Sequence, residues 1–355
     1  MKRLLYITAF PPNKRSGGQT FSLNAINDLQ QKFDIDVIYF KYNDHKIGNI
    51  GKARVLKVFE PRKENCLSAP AFFPIFTKRY SKKIEQYIQQ IADQYDVLYF
   101  DFSQVSIYSL YIRHPYKVIR CHDIMAQRYS RHIRFVLPWV RLSESKILKS
   151  AKNVFVPSPK DCNILMSEYG IHSEFTHEYL GKFDIPEETA EFHGFILFGL
   201  WSRKENLDGL TWLVKNVIPQ LNSEIVSSIK IMGGGLSPEY QHQHLDPLHI
   251  EYLGFVDNQY AEIYKVKAMI APVFKGAGVK VKVLDALNTG TPVIGTDVAF
   301  EGIDNIPKMM IRSNTAAEFI SNINSMASTD ITSKKSLQEQ FNKMYDNRHL
   351  TDFLG

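Results

Sequence analysis

Cysteine is scarce in this 355-residue sequence, and its apolar N-terminal run stops at Pro11, well short of a membrane span. Cys66, Cys121 and Cys162 lie too far apart for a zinc knuckle or a redox pair, and their odd number argues against a disulfide framework. No small-residue cleavage site follows the N-terminal run, which indicates a buried first strand and not a signal peptide. We therefore predict a cytoplasmic protein.

Repeats and low-complexity tracts are also absent, which excludes solenoid and disordered classes. The composition is 44% hydrophobic, 23% charged and 12% aromatic, as in ordinary folded proteins. A chain of this length exceeds the usual size of a single core, and two domains of roughly 150 to 200 residues are expected.

Negative charge is scarce in the first half of the chain. Residues 1–180 contain 27 Lys and Arg against 16 Asp and Glu, a formal charge of +11, whereas the remainder contains 16 against 21, a charge of −5. A basic half can face nucleic acid, an anionic bilayer or a phosphorylated substrate, and charge alone does not choose among them.

Short apolar runs alternate with helix-length amphipathic stretches along most of the chain. This alternation predicts an α/β protein with parallel strands, right-handed crossovers and ligand sites beyond the carboxyl ends of the strands. Residues 175–192, which include Glu187 and Glu188, break the alternation and are the candidate linker. The predicted buried strands are 4–10, 35–40, 54–59, 97–100, 118–121 and 154–156 before it, and 194–198, 228–232, 251–254, 268–272 and 292–295 after it.

The most informative segment reads strand, glycine loop, helix and strand over residues 271–294. Gly276 and Gly278 leave backbone N–H groups and the positive end of a helix dipole free to bind an anion. Lys280 supplies a cation, and Asp285 can accept hydrogen bonds from ribose hydroxyls. The alternative is a plain strand-to-helix turn followed by solvated lysines.

This segment, together with Thr296 and residues 301–303, resembles the donor-site signature of family 4 glycosyltransferases, the glycosyl transferases group 1. The resemblance implies the GT-B fold, in which two Rossmann-like domains face each other across a cleft. The implied domains are residues 1–178 for the acceptor and 179–332 for the nucleotide-sugar, with residues 333–355 forming a C-terminal helix that packs back towards the first domain.

The resemblance also implies a set of donor contacts. Asp285 falls on the ribose, and Gly278, Val279 and Lys280 fall on the diphosphate. Ala277 stands where many relatives have a glutamate near the transferred sugar, and Asp285 is shorter than their second glutamate. The further donor-binding residues implied are Gly17, Gly18, Arg203, Lys204, Asn206, Gly233, Phe255, Val256 and Gly276. From the residues alone, Asn206 could equally be a helix N-cap.

In the first half, His122 and Asp123 end a predicted strand, and the resemblance makes them, with Lys280, the candidate catalytic residues. A buried, satisfied histidine is the alternative. Glu144, Ser158 and Asp161 are read as helix-capping and packing residues.

No metal is predicted. Asp34 and Asp36 spell an acid-x-acid triplet, but they open a strand remote from any glycine loop, and lysines and helix ends are available to neutralise a diphosphate. No cofactor is expected beyond the donor, a UDP- or GDP-sugar.

Two stretches, 72–83 and 128–141, mix basic and aromatic residues in a manner typical of association with an anionic membrane surface, and an acceptor groove or a solvated helix is the alternative. The expected function is transfer of a hexose-type sugar, with retention, to a glycan or lipid-linked acceptor in surface polysaccharide assembly. The competing readings are a catalytically silent GT-B subunit, which Ala277 and Asp285 motivate, and a nucleic-acid binder, which lacks a recognised module.

Overall fold

The computed structural model describes residues 1–61, 69–131, 133–177, 183–186, 191–331, 333–345 and 349–354. The chain divides into two compact units: unit 1 comprises residues 1–179 and 347–355, and unit 2 comprises residues 180–346. Cys66, Glu187 and Glu188 lie outside the described residues, as do the predicted limits 178/179 and 332 and part of the predicted linker.

Unit 1 is built on a parallel sheet whose strands, among the described residues, follow the order β3-β2-β1-β4-β5-β6-β7. Its strands are β1 (Lys2–Thr8), β2 (Phe33–Phe40), β3 (Arg54–Phe59), β4 (Val97–Asp101), β5 (Lys117–Arg120), β6 (Asn153–Val156) and β7 (Glu174–Phe175). Successive residues of β1 enter different cores, since Leu4 and Tyr6 pack on one face and Leu5 and Ile7 on the other. Both faces of the sheet are therefore covered, which explains the continuous apolar runs.

The helices of unit 1 provide that cover. They are α1 (Gly17–Leu29), α2 (Pro74–Thr77), α3 (Lys82–Ala92), α4 (Ser103–Ser106), α5 (Tyr108–Tyr111), α6 (Met125–Ser130), α7 (Leu137–Leu148) and α8 (Pro159–Tyr169). A further helix near the C-terminus, Leu350–Phe353, packs against α1.

Unit 2 repeats the plan with a second parallel sheet, whose described strands follow the order β10-β9-β8-β11-β12-β13. They are β8 (Phe195–Phe198), β9 (Ile229–Met232), β10 (Glu251–Gly254), β11 (Ala268–Ala271), β12 (Val293–Gly295) and β13 (Met310–Arg312). The helices are α9 (Lys204–Asn216), α10 (Ser223–Ser227), α11 (Pro238–His244), α12 (Gln259–Tyr264), α13 (Val281–Asn288), α14 (Ala316–Ser328) and α15 (Lys335–Tyr345), so that Leu350–Phe353 is α16.

The predicted α/β fold is confirmed, and every predicted strand is present within a few residues. One expectation about burial was wrong: β3 is an edge strand with most of its residues exposed, because nothing pairs with its outer side in the described chain. The very short strands β7 and β13 were not predicted, and β7 begins where the linker was expected.

The C-terminal stretch 333–355 is divided between the units. Helix α15 packs against α13 in unit 2, and Lys334 just before it is buried, with Nζ donating to the carbonyls of Tyr264 and Val266. Only α16 lies in unit 1. No helix among the described residues is long and apolar enough to cross a bilayer.

Candidate functional site

The glycine loop of unit 2 connects β11 to α13 and depends on glycine for its shape. Gly276 and Gly278 have φ values of 119° and 72°, in a region that side chains disfavour. Helix α13 begins after Lys280, and no side chain caps its start. Lys280 Nζ turns back to donate to the carbonyls of Ala277 (3.3 Å) and Gly278 (2.5 Å). The Lys280 ammonium group therefore lies against the glycine loop.

A second lysine lies at the same helix start. Lys282 Nζ donates to Asn206 Oδ1 at 3.0 Å. Burial, reinforced by the charges of Lys280 and Arg203 and opposed by Glu205, lowers the pKa of Lys282 to about 8. A cation held in this way gains from any anion that replaces its lost hydration.

Asn206 joins the two loops of unit 2. Helix α9 begins at Lys204 with Arg203 at its N-cap, so the alternative that Asn206 is an N-cap was wrong. Instead, Asn206 Nδ2 donates to the carbonyl of Leu200 at 2.9 Å while its Oδ1 accepts from Lys282. The loop after β8 and the start of α13 are thereby held together.

The two basic residues of the β8–α9 loop have different surroundings. Arg203 is close enough to contribute to the pKa of Lys282. Lys204 is 83% exposed and donates to Asp208 Oδ1 at 3.0 Å, one turn along α9. The structure thus brings Arg203, Lys280 and Lys282 together and places Lys204 in an exposed ion pair.

Asp285 lies on α13, just over a turn beyond Lys280. Its side chain is buried, Tyr260 donates a hydroxyl hydrogen bond to Oδ1 at 3.1 Å, and burial raises the pKa of Asp285 to about 7 despite that bond. A carboxyl of this kind favours ligands that donate hydrogen bonds to it, as paired ribose hydroxyls do.

Gly233 allows the strand ends of unit 2 to approach closely. A Cβ at this position would lie 2.0 Å from the carbonyl oxygen of Gly199, and the φ of Gly233 is 107°. Its N–H donates to Gly254 O at 2.7 Å, next to Phe255, which is 74% exposed, and Val256. Gly233 therefore lies beside the loop that follows β8 and beside the loop after β10, which carries Phe255 and Val256.

In unit 1, the ends of β1, β4 and β5 converge on a buried carboxylate. His122 Nε2 lies 2.8 Å from Asp101 Oδ1, while the hydroxyls of Ser22 and Thr8 donate to Oδ2 at 2.5 and 3.2 Å. Burial opposes ionisation, but the charge of His122 and these hydrogen bonds hold the pKa of Asp101 below its usual value. Because an ionised Asp101 only accepts hydrogen bonds, Nε2 of His122 carries the proton that is directed at Oδ1.

Aromatic rings fix the orientation of His122. Its ring stacks on Phe102 at 3.8 Å and on Phe21 at 6.3 Å. Phe102 has a φ of 79°, an unfavourable conformation that places its ring against this imidazole. A Cβ on Gly18 would lie 2.9 Å from the Phe102 ring and 3.9 Å from His122 Nδ1. The structure therefore brings Gly18 to His122, with Gly17 beside it at the start of α1.

The other residues of unit 1 that the sequence singles out form ion pairs or cap helices; they are Asp123, Glu144, Ser158 and Asp161. Asp123 Oδ2 is 3.8 Å from Arg128 Nη1 on α6. The Glu144 carboxylate accepts the N–H groups of Met125 (2.7 Å) and Ala126 (3.0 Å), which confirms its capping role. Ser158 caps α8 by accepting the N–H of Asp161, as predicted.

The acid-x-acid triplet lies at the opposite, amino edge of the sheet. Asp36 accepts from Arg54 Nε at 2.9 Å, Arg3 Nη2 at 3.1 Å and the Tyr95 hydroxyl at 2.8 Å. Its oxygens are occupied by these donors. No group of three or more potential metal-ligating side chains occurs among the residues that the structure describes.

Two site residues were missed from the sequence. Lys282 has no role in the predicted site and enters the sequence analysis only through the alternative of solvated lysines, although it lies between Val281 and Val283 at the start of a buried helix. Asp101 received no role, although an acid that ends an apolar parallel strand falls at the functional edge of the sheet.

Residues 194–329 match a family model whose description is glycosyl transferases group 1. No curated protein sequence matches the chain.

Solved structures resemble nearly the whole chain at low sequence identity. Anabaena HepE in complex with UDP is 13% identical, with 97% of this chain and 95% of that chain covered and a TM-score of 0.68. A mutant of S. aureus TarM in complex with fondaparinux, α-GlcNAc-glycerol and UDP is 10% identical, with 97% of each chain covered and a TM-score of 0.70. Sucrose-phosphate synthase from Thermosynechococcus elongatus is 14% identical, with 97% and 95% covered and a TM-score of 0.68. Residues 194–329 are thus similar to the glycosyl transferases group 1, and the two parallel-sheet α/β units have the GT-B fold.

Proposed function

We propose that this protein transfers a hexose-type sugar from a nucleotide-sugar, bound by unit 2, to a hydroxyl of an acceptor bound by unit 1. The observation that carries the proposal is the cation cluster at the starts of α9 and α13. Lys280 donates to the carbonyls of the glycine loop, Arg203 and Lys282 lie close to it in charge contact, and Asp285 lies buried further along α13. UDP in the HepE and TarM complexes supports a nucleoside diphosphate as the ligand of the same fold.

The chemistry of this cluster is stabilisation of a leaving group. As the glycosidic bond breaks, charge develops on the diphosphate, and fixed cations and loop N–H groups stabilise it without reorganising. Three cations supply this charge, so no metal is required. We propose retention of configuration, with a donor phosphate oxygen taking the acceptor proton and no protein nucleophile. An inverting reaction would need a general base, and His122 or Asp123 are the candidates.

A screen of nucleotide-sugars tests the proposal. UDP-, GDP-, ADP- and dTDP-sugars are titrated into the full chain by calorimetry, and the tightest is then assayed for turnover. We expect a UDP- or GDP-sugar to bind and Lys280→Ala to weaken that binding, whereas Lys215→Ala, an exposed lysine at the far end of α9, leaves it unchanged. Failure of every donor to bind would overturn the proposal, and binding without turnover on any acceptor would favour the silent subunit.

We propose further that the acceptor is lipid-linked, in surface polysaccharide assembly, and that unit 1 docks on an anionic membrane at the inner face of the plasma membrane. The two basic-aromatic stretches differ here. In stretch 72–83, Phe76 and Tyr80 are buried. In stretch 128–141, Phe135 is 86% exposed and Trp139 is 40% exposed.

The exposed stretch has the basic flank that such docking uses. Arg131 and Arg134, with Ser130 and Leu137, line a surface depression of about 480 Å³. Aromatic anchors beside arginines suit anionic headgroups, and each basic residue near the surface contributes about 1 kcal/mol.

Sedimentation with vesicles tests this docking. Vesicles containing phosphatidylglycerol should recover more protein than neutral vesicles, and Phe135→Ser should reduce that recovery. Met166→Ser, which changes an exposed apolar side chain on α8, is the matched control. Equal recovery with both kinds of vesicle at low and moderate salt would contradict docking.

A further inference from the structure

Arg79, between α2 and α3 of unit 1, is a buried cation that has no counter-charge among the residues described. The residue is 6% exposed, and its Nε is fully buried with no hydrogen-bond acceptor. Among the residues that the structure describes, no carboxylate or carbonyl accepts a hydrogen bond from its guanidinium. Burial lowers the pKa of Arg79 to about 10, which leaves it charged at neutral pH.

Burying a charge without a partner costs stability, and folded proteins usually provide the partner. Unit 1 does so elsewhere, because the guanidinium groups of Arg54 and Arg3 both bond to the buried Asp36. Arg79 differs in this respect from Arg54 and Arg3, and the missing partner is the feature to explain.

The position of Arg79 indicates what that partner is. Its guanidinium lies 4.4 Å from the centre of the Phe10 ring, in the loop that follows β1. The Phe10 ring contacts that of Phe102 at 5.0 Å, and Phe102 stacks on His122 at 3.8 Å. Two ring contacts thus connect Arg79 to His122 at the carboxyl edge of the sheet, where parallel α/β sheets bind their ligands.

Arg79 is also held rigidly. The Tyr108 hydroxyl donates to the backbone carbonyl of Arg79 at 2.6 Å and accepts the N–H of Ser81 at 3.1 Å. The Phe10 ring covers one face of the guanidinium, and the half-exposed Tyr42 packs edge-on against the same ring. A guanidinium in a fixed plane, with unused donors, suits the paired oxygens of an oxyanion.

We propose that Arg79 binds a phosphoryl group of the acceptor at the carboxyl edge of the unit 1 sheet. The site rests on the proposed function insofar as unit 1 receives the acceptor. Arg79 belongs to unit 1, whereas the cations proposed for the donor diphosphate, Arg203, Lys280 and Lys282, belong to unit 2. The phosphate supplies the charge that the fold leaves out, and the aromatic rings around it exclude water.

NMR of the arginine side chains of the full chain tests the site directly. The Nε–Hε signal of Arg79 is assigned as the one that is missing from the spectrum of Arg79→Met. The change in its chemical shift during titration with methyl phosphate reports binding at this side chain. We expect saturable binding that weakens about tenfold in Arg79→Lys, because one charge-assisted bond of the guanidinium pair is lost. An unshifted Arg79 signal, or tighter binding of acetate than of methyl phosphate, would overturn the proposal.

Thermal unfolding separates this role from a structural one. Arg79→Met should keep or raise the melting temperature, because it removes an unpaired buried charge. Arg54→Met, the matched control at the amino edge, should lower the melting temperature and leave methyl phosphate binding intact, because Asp36 loses a partner. A lower melting temperature in Arg79→Met with unchanged phosphate binding would show that Arg79 is structural.

Two further titrations are informative. One distinguishes a lipid-linked phosphate from a free phosphate ester, and the other separates failure of the donor proposal from failure of the Arg79 site. Dihexanoyl phosphatidic acid that binds more tightly than methyl phosphate indicates a lipid-linked acceptor, and equal binding indicates a free phosphate ester; both support the site. UDP binding should be unchanged in Arg79→Met. If UDP does not bind wild-type protein while methyl phosphate does, the donor proposal fails and the Arg79 site stands.

Discussion

The two units use the carboxyl edges of their sheets in opposite ways. Unit 2 comes from the acidic half of the chain, yet it gathers Arg203, Lys280 and Lys282 at one edge. Unit 1 comes from the basic half, yet its edge presents an Asp101–His122 pair, aromatic rings and the buried cation Arg79. The net charge of a domain therefore does not predict the charge of its binding site, because charged residues also lie on the solvated surface and in ion pairs such as Arg54–Asp36.

The carboxyl edges of the two sheets also differ in the atoms that make their closest contacts. In unit 2 the strand ends approach through backbone atoms, whereas in unit 1 the approach is through rings, which can shift. Gly233→Ala should therefore abolish donor binding and cost about 3 kcal/mol or more of unfolding free energy, since a Cβ would meet a carbonyl at 2.0 Å on a backbone that disfavours it. Calorimetric titration and denaturant unfolding measure both effects. Gly234→Ala, which has open space around it, should stay within about 0.5 kcal/mol of wild type.

The cations of unit 2 supply the next largest effect. Lys282→Met should weaken UDP binding by about tenfold to a hundredfold, the worth of one charge-assisted hydrogen bond. Lys215→Met is the exposed control and should bind normally. Unchanged UDP affinity in Lys282→Met would remove the contrast between the cationic edge of unit 2 and the edge of unit 1.

The buried carboxylate of unit 1 should affect turnover alone. Asp101→Asn leaves His122 without the anion that fixes its tautomer, so turnover of the donor found in the screen should fall roughly tenfold while UDP affinity stays constant. The pH dependence of the residual turnover should change as well. Asp36→Asn, a buried carboxylate at the amino edge, should lower stability without changing turnover; equal losses in both variants would make Asp101 merely structural.

The smallest effect is the pH dependence of UDP binding. Binding needs Asp285 ionised and Lys282 protonated, whose pKa values are about 7 and about 8, so affinity should peak between these values and fall on either side. Asp285→Asn should remove the acidic limb of the profile. A flat profile from pH 6 to 9 would contradict the assignment.

The same shifts predict how stability changes with pH. The folded state binds the Asp285 proton more tightly than the unfolded state, so this carboxyl makes the protein less stable as pH rises from about 4 to about 7. Folded Lys282 loses its proton first, so its contribution recovers as pH rises above about 8. Between pH 7 and 8 the ionised Asp285 and the protonated Lys282 both lower the stability of the folded state, and this is the range where UDP binding is expected to be strongest.

Much of the fold is readable from the sequence, because strands buried on both faces appear as unbroken apolar runs between helix-length stretches. Strands of two or three residues, such as β7 and β13, leave no such signal. The edge strand β3 has the same composition as a buried strand, and only its place in the sheet exposes it.

The sequence predicts the part of the candidate site whose residues lie within a single loop. Gly276, Gly278 and Lys280 lie within five residues, and the structure places them together. The roles of Lys282 and Arg79 depend on what packs around them, namely Asn206 from another loop and the ring of Phe10. Nothing local in the sequence distinguishes such a buried cation from a solvated one.

The two buried charges of unit 2 also bear on the lifetime of the protein in a cell. A ligand that gives Lys282 an anion and Asp285 hydroxyl donors removes both costs at once, and binding to the folded state alone slows its loss to proteolysis. The abundance of the protein would then rise and fall with the supply of such a ligand.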